Sequence, residues 1–135
     1  MKKKLLDFIF VGLGVFLIFN FIFKNRAEAD PKKSYEQVLA GKAIILDVRE
    51  KDEVKDGMIK AARWFPLSEY EAKKDQIVNE LKAEAKTKEI YVYCRSGNRS
   101  GIYKDHLAKE GIKAVNLGGY SNLVKEGLPT QPGPQ

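Results

Sequence analysis

Cysteine and histidine are nearly absent from this 135-residue chain, which has one of each. A single cysteine excludes an intramolecular disulfide framework and a CxxC redox motif. With only one histidine beside it, zinc sites built from paired cysteines and histidines, and histidine-rich metal centres, are excluded as well. No metal and no cofactor is expected. Phenylalanine is scarce over most of the chain, since six of the seven lie between Phe8 and Phe23. The remaining residues must therefore build a core almost without it. There is also no clustered basic stripe interleaved with stacking aromatics, which excludes a nucleic-acid face.

What the chain has is a sharp division. Phe8–Phe23 (FIFVGLGVFLIFNFIF) is an unbroken run without formal charge, preceded by Lys2, Lys3 and Lys4, offset by Asp7, and followed by Lys24 and Arg26. Its length falls between a signal-peptide apolar region, roughly 7–15 residues, and a membrane-spanning helix, about 20; adding Leu5 and Leu6 brings residues 5–23 to spanning length if Asp7 snorkels. Two readings fit residues 1–29. Ala27-Glu28-Ala29 supplies the small-x-small pattern of a cleaved signal peptide, whereas the charges at Lys24 and Arg26 and the long Phe- and Ile-rich run favour an uncleaved anchor. Both readings export residues 30–135, to the periplasm or the outer face of the cytoplasmic membrane in a bacterium, and keep the lysines inside. The 19 Lys and Arg of residues 30–135 against 16 Asp and Glu leave a net charge of +3, a solvated surface rather than a polyanion-binding one.

Residues 30–135 read as alternating helix and strand. Ser34-Tyr35-Glu36-Gln37 has capping-box spacing and predicts a short helix ending at Gly41. Ala43–Val48 (AIILDV) is a brief, β-branched apolar run suited to a strand buried on both faces. Lys51–Asp56 reads as a helical turn closed by Gly57, and Ala61–Phe65 as a short extended piece. Ser68-Glu69-Tyr70-Glu71 again has capping-box spacing and opens a helical stretch to about Ala85, with Ile77, Val78 and Leu81 as its apolar stripe. Glu89–Tyr93 (EIYVY) is the clearest second strand. Helix follows from Ser100 to Glu110, then a third strand at Ala114–Leu117, a turn at Gly118-Gly119, a last helix at Tyr120–Glu126 and a Pro/Gly-rich tail. Strands separated by helix-length segments predict an α/β fold, a parallel sheet with helices on both faces, preceded by the hydrophobic segment. Ligands of such sheets bind beyond the carboxyl ends of the strands, and the lone cysteine lies at one of those ends.

Cys94 thus sits between a buried strand and a helix. Backbone N–H groups of residues 95–100 can curl round its sulfur with the positive end of the helix dipole behind them, a setting that favours a thiolate. Arg95 and Arg99 add two permanent cations, Gly97 permits a positive φ, and Ser96, Asn98 and Ser100 offer hydrogen bonds to an anion. The loop is at once a nucleophile activator and an anion cradle. Asp47 and Arg49, at a neighbouring strand end, read as an ion pair holding the scaffold. His106 falls some seven residues into the following helix, roughly 10 Å along its axis, too far for a Cys-His dyad. Trp64, Phe65, Tyr91 and Tyr93 read as packing residues.

Tyr93-Cys94-Arg95-Ser96-Gly97-Asn98-Arg99-Ser100, with Leu46-Asp47-Val48-Arg49-Glu50 before it and Asn116-Leu117-Gly118-Gly119-Tyr120 after it, resembles the single-domain rhodanese family. The resemblance is closest to the small exported forms similar to phage shock protein E, and it covers about residues 34–127. It implies a rhodanese α/β fold and sulfurtransferase activity, with Cys94 carrying sulfane sulfur as a persulfide and residues 95–99 as the substrate cradle. One departure is visible: where the family often has Gly-His-Ile, this chain has Gly57-Met58-Ile59, and that histidine is usually structural.

The loop chemistry leads to the same reaction separately. A thiolate in a cationic cradle attacks the outer sulfur of thiosulfate, and a thiophilic acceptor such as cyanide or a thiol then removes the sulfur, a ping-pong covalent mechanism. The partners expected are therefore a small-molecule sulfur donor and its acceptor. Two alternatives share the loop: a non-enzymatic persulfide carrier, and a cysteine phosphatase or arsenate reductase. The phosphatase pattern is C-x5-R, whereas Cys94 to Arg99 is C-x4-R, a narrower cradle.

Overall fold

A computed structural model describes residues 11–19 and 27–135. Residues 11–19 are helical; the rest of the apolar run lies outside the described residues. Among the described residues no helix is long and apolar enough to cross a membrane.

The first domain helix, α1 (Pro31–Leu39), starts earlier than Ser34. Asp30 caps it by accepting from the Lys33 N–H at 3.0 Å, and Pro31 occupies the first turn. That start prevails because proline has the helical φ already set and lacks only an N–H that would be unpaired there. Ser34 is instead buried. Strand β1 (Ala43–Asp47) is buried at every position, and Glu50 and Glu53 close a capping box around the short helix α2 (Lys51–Val54). Next come β2 (Met58–Ile59), β3 (Arg63–Trp64) and a 3-10 turn (Leu67–Glu69). Helix α3 begins only at Lys74 and runs to Ala85. Ser68 does not cap it, because its N–H and hydroxyl both donate to the Glu50 carboxylate, at 3.1 and 2.6 Å.

Strand β4 (Glu89–Cys94), helix α4 (Asn98–Lys109), strand β5 (Val115–Gly119), helix α5 (Tyr120–Lys125) and strand β6 (Thr130–Gln131) complete the domain. The main sheet is parallel, in the order β3-β1-β4-β5. Period-two alternation divides its side chains between two cores. Ile44, Leu46, Val48, Ile90, Val92 and Cys94 pack with Leu81, Tyr103 and Leu107 of α3 and α4. Ala43, Ile45, Tyr91 and Tyr93 pack on the other side with Tyr35, Leu123 and Leu128. Helices therefore cover both faces, as the alternation of strand and helix predicts.

The tail and the segment after α2 differ from expectation. Residues 58–59 and 130–131 form a two-stranded antiparallel sheet, with Met58 buried at 3% exposure. Two residues per strand leave no alternation to read. Gly118 and Gly119 are strand rather than turn. The register shifts so that Val92 pairs with Asn116 but Tyr93 with Gly118, leaving Leu117 as a bulged residue. Such bulges bend and re-aim a strand beside functional sites, and this one lies beside Cys94.

Candidate active site

Cys94 is the last residue of β4, and its side chain falls on the face covered by α4. The chain then turns through Arg95, Ser96 and Gly97 into α4, with Gly97 in the left-handed conformation at φ +95°. That conformation aims the Gly97 N–H at the sulfur, 3.0 Å away. The Ser100 hydroxyl lies 3.4 Å from the same sulfur. Nothing larger than glycine fits this turn without strain. Gly119 meets a second constraint: a Cβ there would stand 2.5 Å from the Arg95 carbonyl oxygen, so the bulged end of β5 leaves room for the loop to cross.

The loop's support comes from Asn116. Its Nδ2 donates to the Gly97 carbonyl at 2.9 Å, and its Oδ1 accepts from the Ser100 hydroxyl at 2.8 Å and the Gly118 N–H at 2.9 Å. The residue is 1% exposed. A hydroxyl has one proton, so Ser100 donates either to Asn116 or to the sulfur at a given moment. When it turns to the sulfur, Gly118 still serves the Asn116 oxygen.

The residues singled out in the sequence divide into three kinds. Gly97 and Ser100 are buried against the sulfur, whereas Arg95, Ser96 and Asn98 are exposed. Arg95 enters none of the ion pairs formed among the described residues. Arg99 differs from the expectation of an open cation in the cradle. Its guanidinium forms a bidentate pair with Glu53 of α2, with Nη2 to Oε2 at 2.7 Å. The Arg99 hydrogen bond holds the Glu53 carboxyl down at about 2, against 4.5 ordinarily, and the same bond raises the Arg99 value. The pair braces the loop against α2.

Beside the thiol, the end of β1 carries a closed network. Asp47, 0% exposed, accepts from Arg49 Nη2 at 2.7 Å and from the Tyr93 hydroxyl at 2.5 Å. Arg49 also donates to the Gly57 carbonyl at 2.8 Å and lies over the Tyr120 ring, 4.0 Å from its centroid. Burial first, and the Asp47 charge second, push the Tyr93 phenol well above its usual range. The scaffold role of Asp47 and Arg49 read from the sequence is what the geometry contains. His106 is half-buried and stacked on Tyr70 at 4.7 Å, a packing position. Trp64 and Phe65 pack against the two cores, and among the described residues no three His, Cys, Asp or Glu side chains cluster as metal ligands.

Residue types alone do not reveal Glu53 as the partner of Arg99, Asn116 as the loop's bracket, or the close approach at Gly119. Asn116 has a readable signal, an amide flanked by Val115 and Leu117 in a short apolar strand. Glu53 has none, because its partner lies 46 positions away.

Residues 30–126 match the Rhodanese-like domain model, and the chain belongs to that family. It is 31% identical over 122 residues to the uncharacterized protein YqhL of Bacillus subtilis, covering 88% of this chain and 90% of that protein. It is 36% identical over 84 residues to a Schizosaccharomyces pombe protein named "Putative thiosulfate sulfurtransferase, mitochondrial", covering 58% of each. Among solved structures, a rhodanese-related protein of Thermoplasma volcanium superposes with a TM-score of 0.62 at 28% identity, over 78% of this chain and 97% of that one. A rhodanese with anions from E. coli superposes with a TM-score of 0.53 at 26% identity, over 67% and 99%. Family and relatives together support a sulfurtransferase-type function.

Proposed function

We propose that this protein is a thiosulfate sulfurtransferase in which Cys94 carries the sulfur. The observation behind this reading is the placement of one thiol at a parallel-strand end, with a glycine N–H and a serine hydroxyl directed at its sulfur and an exposed arginine on the rim. The Cys94 thiolate attacks the outer sulfur of thiosulfate. A sulfur–sulfur bond forms to Cys94, the bond within thiosulfate breaks, and sulfite leaves with its electron pair. A nucleophile such as cyanide or a thiolate then attacks the terminal sulfur of the persulfide and returns Cys94 to the thiolate. The Gly97 amide and the Ser100 hydroxyl hold negative charge on sulfur in both steps, while Arg95, with Ser96 and Asn98 beside it, receives the sulfite end of the donor.

Phosphatase chemistry fits less well, because Arg99, the cation such a cradle would turn toward phosphate, is engaged with Glu53. The carrier alternative has the same loop and differs only in turnover. On localisation, the exposed apolar side chains of Val11, Leu13, Val15, Leu17 and Ile18 on the helical residues 11–19 support an N-terminal segment that directs the domain to a membrane and exports it.

The test is mass spectrometry of the peptide containing Cys94 after thiosulfate treatment, paired with thiosulfate-to-cyanide turnover. One added sulfur atom and steady turnover are expected for the wild type, and neither for Cys94→Ser with an unchanged circular dichroism spectrum. Loading without turnover would favour the carrier, and turnover by Cys94→Ser would sink the mechanism.

A further inference from the structure

Strand β5 is the outer strand of the parallel sheet, and its far edge would present unpaired main-chain groups. At Asn116 that edge is covered by residues from before the domain. The Glu28 N–H donates to the Asn116 carbonyl at 2.8 Å, and the Asn116 N–H donates to Glu28 Oε2 at 3.1 Å. The other Glu28 carboxylate oxygen pairs with Lys104 of α4. Ala27 lies against Gly118, whose Cβ position would be 3.4 Å from the Ala27 nitrogen. Ala27 also lines a cavity of about 430 Å³ with Arg95, Ser96, Gly119 and Ser121. Ala29 is half-buried against the core.

Residues 27–29 therefore touch the back of the residue that brackets the thiol loop and the rim of its mouth. Asn116 is held from outside by Glu28 through its main chain, and it holds Gly97 and Ser100 from inside through its side chain. We propose that Glu28 is a positioning residue of the Cys94 loop, so that the working protein retains Ala27-Glu28-Ala29. The small-x-small pattern at these residues is then part of the folded domain, and the chain is not cut after Ala29. The part of this proposal that concerns turnover rests on the sulfurtransferase reading; the geometry of the clamp does not.

Without the clamp, Asn116 can drift along the free edge, carrying the Gly97 carbonyl and, through the same peptide turn, the N–H that faces the sulfur. The loss should therefore appear as poorer stabilisation of charge on sulfur rather than as weaker donor binding. For the full-length chain in detergent, Glu28→Ala is expected to lower kcat about three- to tenfold, the size of one hydrogen bond, with KM for thiosulfate little changed. The pH profile of Cys94 alkylation by iodoacetamide should move to higher pH in the same variant. Glu28→Gln, whose amide oxygen can still accept from the Asn116 N–H but cannot pair with Lys104, should restore both. The alkylation profile reports on the loop without any sulfur transfer, so failure of wild-type loading would count against the sulfurtransferase reading and leave this readout standing. An unshifted Glu28→Ala profile, or a Glu28→Gln variant as impaired as Glu28→Ala, would overturn the clamp. Intact-mass analysis of the protein recovered from its native membranes tests the same proposal independently: residues 27–29 present supports it, and a mature chain beginning at Asp30 overturns it.

Discussion

The ends of β1 and β4 occupy equivalent places in the fold, since Asp47 and Tyr93 are register partners on neighbouring parallel strands, yet they use charge in opposite ways. After β1, the Asp47 carboxylate and the Arg49 guanidinium neutralise each other in a buried network joined by Tyr93 and Gly57. After β4, the sulfur receives uncharged donors from Gly97 and Ser100, one arginine is tied to Glu53, and the other is left exposed. The first end has no unfilled partner for an incoming anion, whereas the second has both a free thiol and an exposed cation. A strand end in this fold becomes a site when its charges are not satisfied by its own scaffold.

The largest expected effect comes from breaking the β1 end. Asp47→Ala leaves Arg49 buried without its counter-charge and removes the acceptor of the Tyr93 hydroxyl, a loss of about 3–5 kcal/mol that should appear as a marked fall in thermal unfolding temperature. Cys94→Ser should leave that temperature nearly unchanged while abolishing sulfur loading. If Asp47→Ala unfolds no more easily than Cys94→Ser, the contrast between scaffold end and reactive end is wrong.

The Glu53–Arg99 pair joins the two ends, and Glu53→Gln sharpens the comparison at intermediate size. It removes a charge-assisted bidentate contact, a loss of about 1–3 kcal/mol, and frees Arg99 toward the thiol loop. The pair also carries a pH signature. Because the folded Glu53 carboxyl is lowered from 4.5 to about 2, its stabilisation is complete above the unfolded value and is lost as pH falls through that window. Acid unfolding curves of the wild type and Glu53→Gln should therefore converge between about pH 4.5 and pH 2; parallel curves would show that the pair does not stabilise the fold.

These two ends also differ in how much of them can be read from residue order. Cys94, Gly97 and the following helix are legible because one short segment carries the strand, the turn and the helix start, and the positive φ of Gly97 is a local property. Asp47 and Arg49 are legible as a pair because two charges interrupt an apolar strand end two residues apart. The pairing of Arg99 is not legible because its partner is remote: nothing near it shows that α2 places Glu53 against its guanidinium. The start of α3 is hidden for a similar reason, since Glu50, 18 positions earlier, takes the Ser68 groups that would otherwise cap it. The bulge that turns Gly118-Gly119 into strand arises from pairing with β4. Local chemistry thus singles out the thiol and its loop, and what escapes it is the tertiary partner that decides whether each charge remains available.

Arg95 offers the smallest and most selective test of that availability. Its side chain is exposed and forms no ion pair among the described residues, so Arg95→Ala should change stability by no more than about 0.5 kcal/mol. If the arginine receives the sulfite end of thiosulfate, the variant should show a raised KM with a smaller change in kcat, the pattern of an interaction made in the ground state as well as the transition state. Added salt should raise the wild-type KM by screening an exposed charge and should affect the variant less. A variant with both constants and the salt dependence unchanged would place Arg95 on inert surface and remove it from the proposed donor site.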